Sequence, residues 1–222
     1  MARAGRGLVV LAKWPRAGHA KRRLGAAIGP RASTLLAHAF LRDTAALAER
    51  SAADTILVAF APPSAADRVA AVFEGARLVS QPRASLGTRL ARALDVGCAH
   101  ARNVVLIGTD SPGLDPRIVR EAFAALESGA GCVIGPSRDG GFYLIGCAAP
   151  LPPSVFRQMP WSTSAVFALM RDRVISTGVP VALMPEAYDV DDAASLELLR
   201  GDRAALRRAR ATAAALHRLD AA

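Results

Sequence analysis

The sequence predicts an α/β fold, one domain in which a mostly parallel β-sheet carries helices on both faces. Two observations point there. Short apolar runs alternate along the chain with longer Ala- and Leu-rich stretches of helical period, the pattern of successive βαβ units. The runs are apolar throughout, as strands are when helices bury both faces of a sheet.

Taken in order, Gly7–Ala12 reads as a first buried strand. Pro30–Arg50 reads as a long helix, because Leu35, Leu36, Ala39, Phe40, Thr44 and Leu47 fall on one side. Thr55–Ala61 is a second strand, Ala65–Phe73 a helix and Arg77–Ser80 a short strand. A helix is expected from about Leu86 to His100, ahead of the apolar strand Asn103–Gly108. Pro116–Glu127 reads as a helix, with Asp115 as its cap and Pro116 at the first position. Gly131–Gly135 and Gly141–Cys147 are strands, and their short connection allows an antiparallel neighbour in the sheet. Ser164–Thr177 reads as a helix ended by Gly178, and Val179–Met184 as a last strand. A basic closing helix fills Ala193–Leu216, with Gly201 as a candidate break. No linker divides residues 1–222, so a single domain is expected.

Composition narrows the class. No apolar run approaches the roughly 20 residues that cross a bilayer, so no membrane insertion is expected. Leu8–Ala12 is too short for the core of a secretory signal. Cys98, Cys132 and Cys147 form no CxxC pair, which indicates neither a disulfide framework nor a zinc site. A cytoplasmic protein is the expectation. The net charge of +9 sits at the ends: residues 1–23 carry seven Lys or Arg and no acid, and residues 200–222 carry six Arg against two Asp. The body is close to neutral. An Arg-rich terminal helix is ordinarily a solvated face, but the N-terminal cluster lies in a loop.

In an open α/β sheet, ligands collect outside the carboxyl ends of the strands. After the first strand come Lys13-Trp14-Pro15-Arg16-Ala17-Gly18-His19-Ala20-Lys21-Arg22-Arg23. Of 28 basic residues only Lys13 and Lys21 are lysines, and both lie here. A lysine offers a compact, movable charge suited to a phosphate oxygen, whereas arginine offers a planar fork. The competing reading is a surface loop without a role. The stretch is neither a P-loop nor a dinucleotide fingerprint, and His19 has no nameable partner.

Asp110 follows the Asn103–Gly108 strand. A carboxylate there needs a cation or donors, and a hard divalent metal such as Mg²⁺ would serve. Capping the next helix is the alternative, a role that suits Asp115 better. In Asp139-Gly140-Gly141 the glycines permit close approach of a ligand, or simply a hairpin turn; the pattern fits both. In Asp189-Val190-Asp191, alternation points both carboxylates the same way, where they repel unless a cation joins them. Asp192 is the better cap for the closing helix. Trp161 could stack on a base or sugar, or anchor the core with Ser162 or Ser164 as a helix cap.

Together these stretches resemble a family of bacterial proteins with a GT-A-type fold, labelled sugar-nucleotide transferase-like and of largely unassigned function. The matching segments are Leu11-Ala12-Lys13-Trp14-Pro15 with Gly18, Lys21, Arg23 and Leu24; Gln81 with Leu86-Gly87-Thr88-Arg89; Ile107-Gly108-Thr109-Asp110-Ser111-Pro112; Gly135-Pro136-Ser137 with Asp139-Gly140-Gly141-Phe142-Tyr143; Trp161-Ser162-Thr163; and Asp189-Val190-Asp191. The wider superfamily includes glycosyltransferases and 2-phospho-lactate guanylyltransferases. The resemblance implies a three-layer α/β/α sandwich with a nucleotide site under the first loop, served by Lys13, Gly18, Lys21, Arg23, Gln81 and Gly87. It implies Mg²⁺ or Mn²⁺ at Asp110, with Asp189 and Asp191 as further ligands from across the site. Gly140, Gly141 and Trp161 are the candidate substrate contacts, and Lys21 and Asp139 the candidate catalytic groups. Two positions depart from the pattern: Arg22 stands where a Thr is usual, and Ser85 where an acid is usual.

Three functions are compatible with this. The first is transfer of a sugar from a nucleotide-diphospho-sugar to a small acceptor, with the metal as Lewis acid and template. The second is nucleotidyl transfer, in which a phosphorylated small acid attacks an NTP and releases pyrophosphate; the basic loop suits a triphosphate well. The third is a non-catalytic nucleotide- or RNA-binding protein. RNA binding wants aromatics interleaved with the basic patch, and only Trp14 is there, so nucleic acid is not the expected partner.

Overall fold

The computed structural model describes residues 3–221. Seven strands form one sheet: β1 (Ala4–Lys13), β2 (Thr55–Ala61), β3 (Arg77–Ser80), β4 (Ala101–Ile107), β5 (Cys132–Pro136), β6 (Phe142–Cys147) and β7 (Val181–Leu183). Their order is β3-β2-β1-β4-β6-β5-β7. All neighbours are parallel except those of β6, which runs antiparallel to both β4 and β5. The helices are α1 (Arg22–Ile28), α2 (Pro30–Glu49), α3 (Ala66–Val72), α4 (Leu86–His100), α5 (Pro116–Glu127), α6 (Val166–Ser176), α7 (Ala193–Gly201), α8 (Arg203–Arg208) and α9 (Arg210–Asp220).

Alternation along β1 builds two cores. Leu8, Val10 and Ala12 pack with Leu41 of α2, Val69 of α3 and Phe123 of α5. Val9 packs on the other face with Leu90 and Leu94 of α4 and Met170 and Val174 of α6. Each buried Val, Leu, Phe or Met among them stabilises the fold by about 1.5–3 kcal/mol, so these two layers hold the strand ends in place. A third cluster lies outside the sandwich and joins Leu24 of α1, Leu36 and Phe40 of α2, Val190, and Leu196 and Leu199 of α7.

The strand order also locates the crevice. The chain runs outward through β1, β2 and β3, then returns past β1 to place β4 on its other side. The carboxyl ends of β1 and β4 therefore flank a topological switch point, where loops diverge and leave space for a ligand.

Three expectations change. Arg22 and Arg23 lie in a short helix, not in the loop; Lys21 turns the chain into it with left-handed φ 47° and ψ 56°. The closing helix is three helices. The side chain of Asp202 accepts from Ala205 N and restarts the chain as α8. The buried carboxylate of Asp43 accepts from Ala211 N, Thr212 N and Thr212 Oγ1 at the start of α9. Helix α6 begins at Val166 after Ala165, with no side-chain cap from Ser162 or Ser164. Asp115 and Asp192 do cap α5 and α7. The three cysteines are buried, and the Sγ atoms of Cys98 and Cys147 lie 3.7 Å apart. Among the described residues, no helix is long and apolar enough to cross a membrane.

Candidate functional site

A crevice of ≈ 1350 Å³ opens over the ends of β1 and β4. Its acidic side is assembled by one backbone bond. Val190 N donates to Asp110 O at 2.8 Å, while the Val190 side chain is fully buried in the third core. Asp189 and Asp191, on either side of Val190, both reach the crevice alongside Asp110.

Lys21 enters from the opposite wall. Leu24, one turn on, is fully buried in the same core as Val190, which fixes α1 and the residue that starts it. The Lys21 Nζ lies 2.5 Å from Asp110 Oδ1 and 2.7 Å from Asp191 Oδ1, and 5.4 Å from the centre of the Phe40 ring. Arg23 reaches Asp191 Oδ2 at 3.4 Å. Burial alone would lower the Lys21 pKa, but the charges and hydrogen bonds of Asp110 and Asp191 outweigh it and hold the ammonium above its ordinary value. Asp189 accepts from Ser111 Oγ at 2.5 Å. Burial pushes its carboxyl up to about 6, with the Asp110 and Asp191 charges adding to the effect and Ser111 and Lys21 opposing it.

The opposite end of the crevice is cationic. Lys13 closes β1, and Arg89 projects from the first turn of α4. Gln81 is buried, and its amide nitrogen donates to Ala12 O at 2.8 Å and Ala59 O at 2.7 Å, tying the ends of β1 and β2 together. Its amide oxygen accepts from Arg89 Nη1 at 3.1 Å.

The remaining candidates divide. Asp139, Gly141 and Trp161 line the crevice, whereas Gly18, Gly87 and Gly140 do not. Gly18 supplies the positive φ of 75° in the turn closed by His19 N and Ala20 N on Arg16 O. A Cβ on Gly87 would lie 2.5 Å from Phe156 O and 3.2 Å from the Trp161 ring, so its bareness serves packing. Gly140, with φ 86°, lies against the Ser164 backbone and forms the turn in which Gly140 N donates to Ser137 O. Asp139 Oδ1 accepts from Gly141 N within that turn. Trp161 meets Phe142 edge-on with ring centres 6.3 Å apart.

The structure brings Asp110, Asp189 and Asp191 to one crevice but not into one cage. Among the described residues, no group of three or more His, Cys, Asp or Glu is arranged to hold a metal ion. Lys21 spans two of the carboxylates and Ser111 holds the third. The donor set still fits a hard divalent cation. Asp110, Asp189 and Asp191 offer hard carboxylate oxygens to one crevice, and burial chiefly, with the Asp110 and Asp191 charges adding, makes an unaccompanied anion at Asp189 unfavourable; Mg²⁺ characteristically takes one or two carboxylates and completes its shell with phosphate oxygens and water.

Sequence reasoning gave no role to Ser111, Phe40 or Arg89. Ser111 was in view as the neighbour of Asp110. Phe40 reads only as one more apolar residue on the α2 face. Arg89 sits on a helix, where an arginine ordinarily marks a solvated surface.

Solved structures share this architecture. A protein from Desulfovibrio desulfuricans G20 whose name proposes a nucleotide-diphospho-sugar transferase superposes with a TM-score of 0.87 at 25% identity, over 97% of this chain and 95% of its own. A nucleotidyl transfer enzyme from Methanothermobacter (Mth528) gives 0.58 at 17% identity, over 91% and 98%. Rv0371c of Mycobacterium tuberculosis H37Rv, in complex with manganese, gives 0.51 at 21% identity, over 89% and 98%. The molecule thus has the fold of the nucleotide-diphospho-sugar transferases, in which nucleotidyltransferases also occur. The family model described as "uncharacterized protein conserved in bacteria" (DUF2064) matches residues 43–163, more than half of the chain, and the chain belongs to that family. No curated protein matches the sequence.

Proposed function

We propose that the protein is a divalent-metal-dependent transferase that moves a sugar from a nucleotide-diphospho-sugar to a small acceptor. One observation carries this reading: carboxylates from the β4 end and from residues 189–191 meet an ammonium from the β1 loop in a single crevice at the switch point. That arrangement suits a diphosphate, which needs cations on one side and a metal held by hard oxygen ligands on the other. The fold shared with the Desulfovibrio protein and the manganese in Rv0371c support the same reading.

Asp110, with Asp189 or Asp191, would hold Mg²⁺ or Mn²⁺, which supplies Lewis acidity at the phosphate oxygens. Lys21 holds Asp110 and Asp191 in register and limits their mutual repulsion. Lys13 and Arg23 face the diphosphate and neutralise charge as the bond between the sugar carbon and the phosphate oxygen breaks. Asp139 is held by Gly141 N through one oxygen, which leaves the other to orient an acceptor hydroxyl and take its proton. Trp161 offers a ring face to the sugar or base.

A second reading, nucleotidyl transfer, is favoured by the additional positive charge of Lys13 and Arg89, since a triphosphate needs more cations. Thermal unfolding with nucleotide sugars and NTPs, with and without Mn²⁺, tests both. The first reading expects a concentration-dependent rise in Tm with a sugar nucleotide plus Mn²⁺, absent in Asp110→Asn. Stabilisation by a triphosphate and by no sugar nucleotide would replace it with the second.

A further inference from the structure

We propose that Arg173, which does not itself line the crevice, is a positioning residue: by holding the main chain around residues 155–158 it presents Trp161 to the sugar, and so sets the preference for a sugar nucleotide over its bare diphosphate. This rests on the reading of the crevice as a sugar-nucleotide site.

The wall that carries Trp161 is residues 157–165, between a short 3₁₀ turn at Pro153–Phe156 and the start of α6. Trp161, Ser162, Thr163 and Ser164 all face the crevice from it. Its backbone is held in an unfavourable shape. Gln158 and Ser162 have φ of 47° and 68°, in the left-handed region that side chains avoid. Such conformations persist where surrounding structure over-determines them, and they gather at ligand-binding segments. Within the wall, Trp161 N donates to Met159 O and Thr163 Oγ1 to Pro160 O, each at 2.8 Å. Those bonds shape the turn, and Met159 anchors its middle in the core beneath. The two ends are held from outside.

Helix α6 holds both of them. At its start Phe167 N donates to Gly140 O at 2.8 Å, and Gly140 lies against the Ser164 backbone, next to Asp139. Arg173 projects from the same helix six residues on, about 9 Å further along its axis. Its Nη1 donates to Arg157 O, the closest contact, and to Val155 O at 3.4 Å, while Nη2 reaches Gln158 O at 3.5 Å. Among the described residues Arg173 has no carboxylate within 4.0 Å, so its fork is spent on main chain. A planar guanidinium can serve several carbonyls at once, as a single ammonium cannot. Between the two clamps the Trp161 ring is set edge-on to Phe142, over the space that Gly87 leaves bare. Loss of the Arg173 clamp frees the turn at Gln158 to relax, and the ring three residues on moves with it.

The test is calorimetric titration with Mn²⁺ present, of the natural sequence, Arg173→Met, Arg173→Lys, Trp161→Leu and the Arg173→Met/Trp161→Leu double variant. The probes are UDP-glucose, UDP-N-acetylglucosamine and GDP-mannose, with UDP and GDP as matched diphosphates. Arg173→Met should weaken a sugar nucleotide that the natural protein binds by about 3- to 10-fold, the worth of a lost aromatic contact. The matched diphosphate should change by less than about two-fold. Arg173→Lys should recover part of the loss, because an ammonium still meets one carbonyl, and it carries the test if the methionine variant does not fold. The double variant should bind like Trp161→Leu alone, within about two-fold, since Arg173 acts through that ring. In a Trp14→Phe background, which leaves Trp161 as the only tryptophan, Arg173→Met should shift the emission to the red and increase its quenching by acrylamide. Equal losses for sugar nucleotide and diphosphate, losses that multiply in the double variant, or an unmoved Trp161 emission overturn the proposal and leave the transferase reading intact. A natural protein that binds none of the sugar nucleotides overturns both.

Discussion

Replacing Lys21 with Met keeps the aliphatic stem over Phe40 and removes the one charge that Asp110 and Asp191 share. Removing one partner of a fully buried ion pair typically destabilises by about 3–5 kcal/mol. Here the lysine side chain is 8% exposed, but those of Asp110 and Asp191 are 48% and 34% exposed. Solvent therefore screens part of the repulsion that is released, and about 2 kcal/mol is the expected loss. The assay is urea unfolding at pH 7.5 and low ionic strength, first in EDTA and then in millimolar Mn²⁺. In EDTA the variant should be less stable by that amount. With Mn²⁺ most of the deficit should disappear, because the ion takes over the balancing of the carboxylates and stabilises the variant more than the natural protein. Equal stabilities in EDTA, or a deficit that Mn²⁺ leaves untouched, would refute the electrostatic account of this site.

Asp189 makes a pH-dependent prediction. Its carboxyl is pushed up to about 6, so the folded chain holds the proton more tightly than the unfolded chain, where Asp titrates near ~3.9. The resulting stabilisation, up to about 3 kcal/mol, is complete below roughly pH 4 and is lost as the pH rises through about 6. A divalent ion that takes Asp189 as a ligand, as proposed above, must displace that proton. Titration with Mn²⁺ at pH 5.5, in two buffers of different ionisation enthalpy, should report about one proton released per ion, falling towards none at pH 7.5. Buffer-independent heats at pH 5.5 would contradict this. Gly87→Ala should destabilise by about 1–3 kcal/mol, because the new methyl would sit 2.5 Å from a main-chain carbonyl that cannot yield. Chemical denaturation measures the loss, and a shift in tryptophan emission should accompany it as Trp161 is displaced.

How much of this could be read in advance depends on the range of the force involved. The buried strands were legible because their apolar runs are continuous, as in Val104–Ile107, and the β5–β6 reversal followed from a short turn-rich link. The edge strand β7 is shorter than its apolar run, since an edge has one partner to extend it. The candidate acids were legible because a carboxylate just past a buried strand demands a reason. Helix α1 was not: its first residues are basic, against the helix dipole, and it forms because Leu24 finds a core made largely from the other end of the chain. The work of Gln81 is invisible for the same reason, since it joins carbonyls 69 and 22 residues away. Cys98 and Cys147, 49 residues apart, meet only because α4 and β6 contribute to the same core on one face of the sheet.

The bond from Val190 to the Asp110 carbonyl, and the apolar cluster beneath it, bear on how the molecule comes to be. Leu24, Leu36 and Phe40 precede by a long stretch of chain Val190, Leu196 and Leu199, which cover them, so during synthesis the cover closes only after these later residues have emerged. Until then the sandwich can assemble around β1 and β4, but the ammonium of Lys21 has only one of its two carboxylates, and an oily face of α1 and α2 stays wet. The meeting of these two segments closes the apolar cover and the charge balance together.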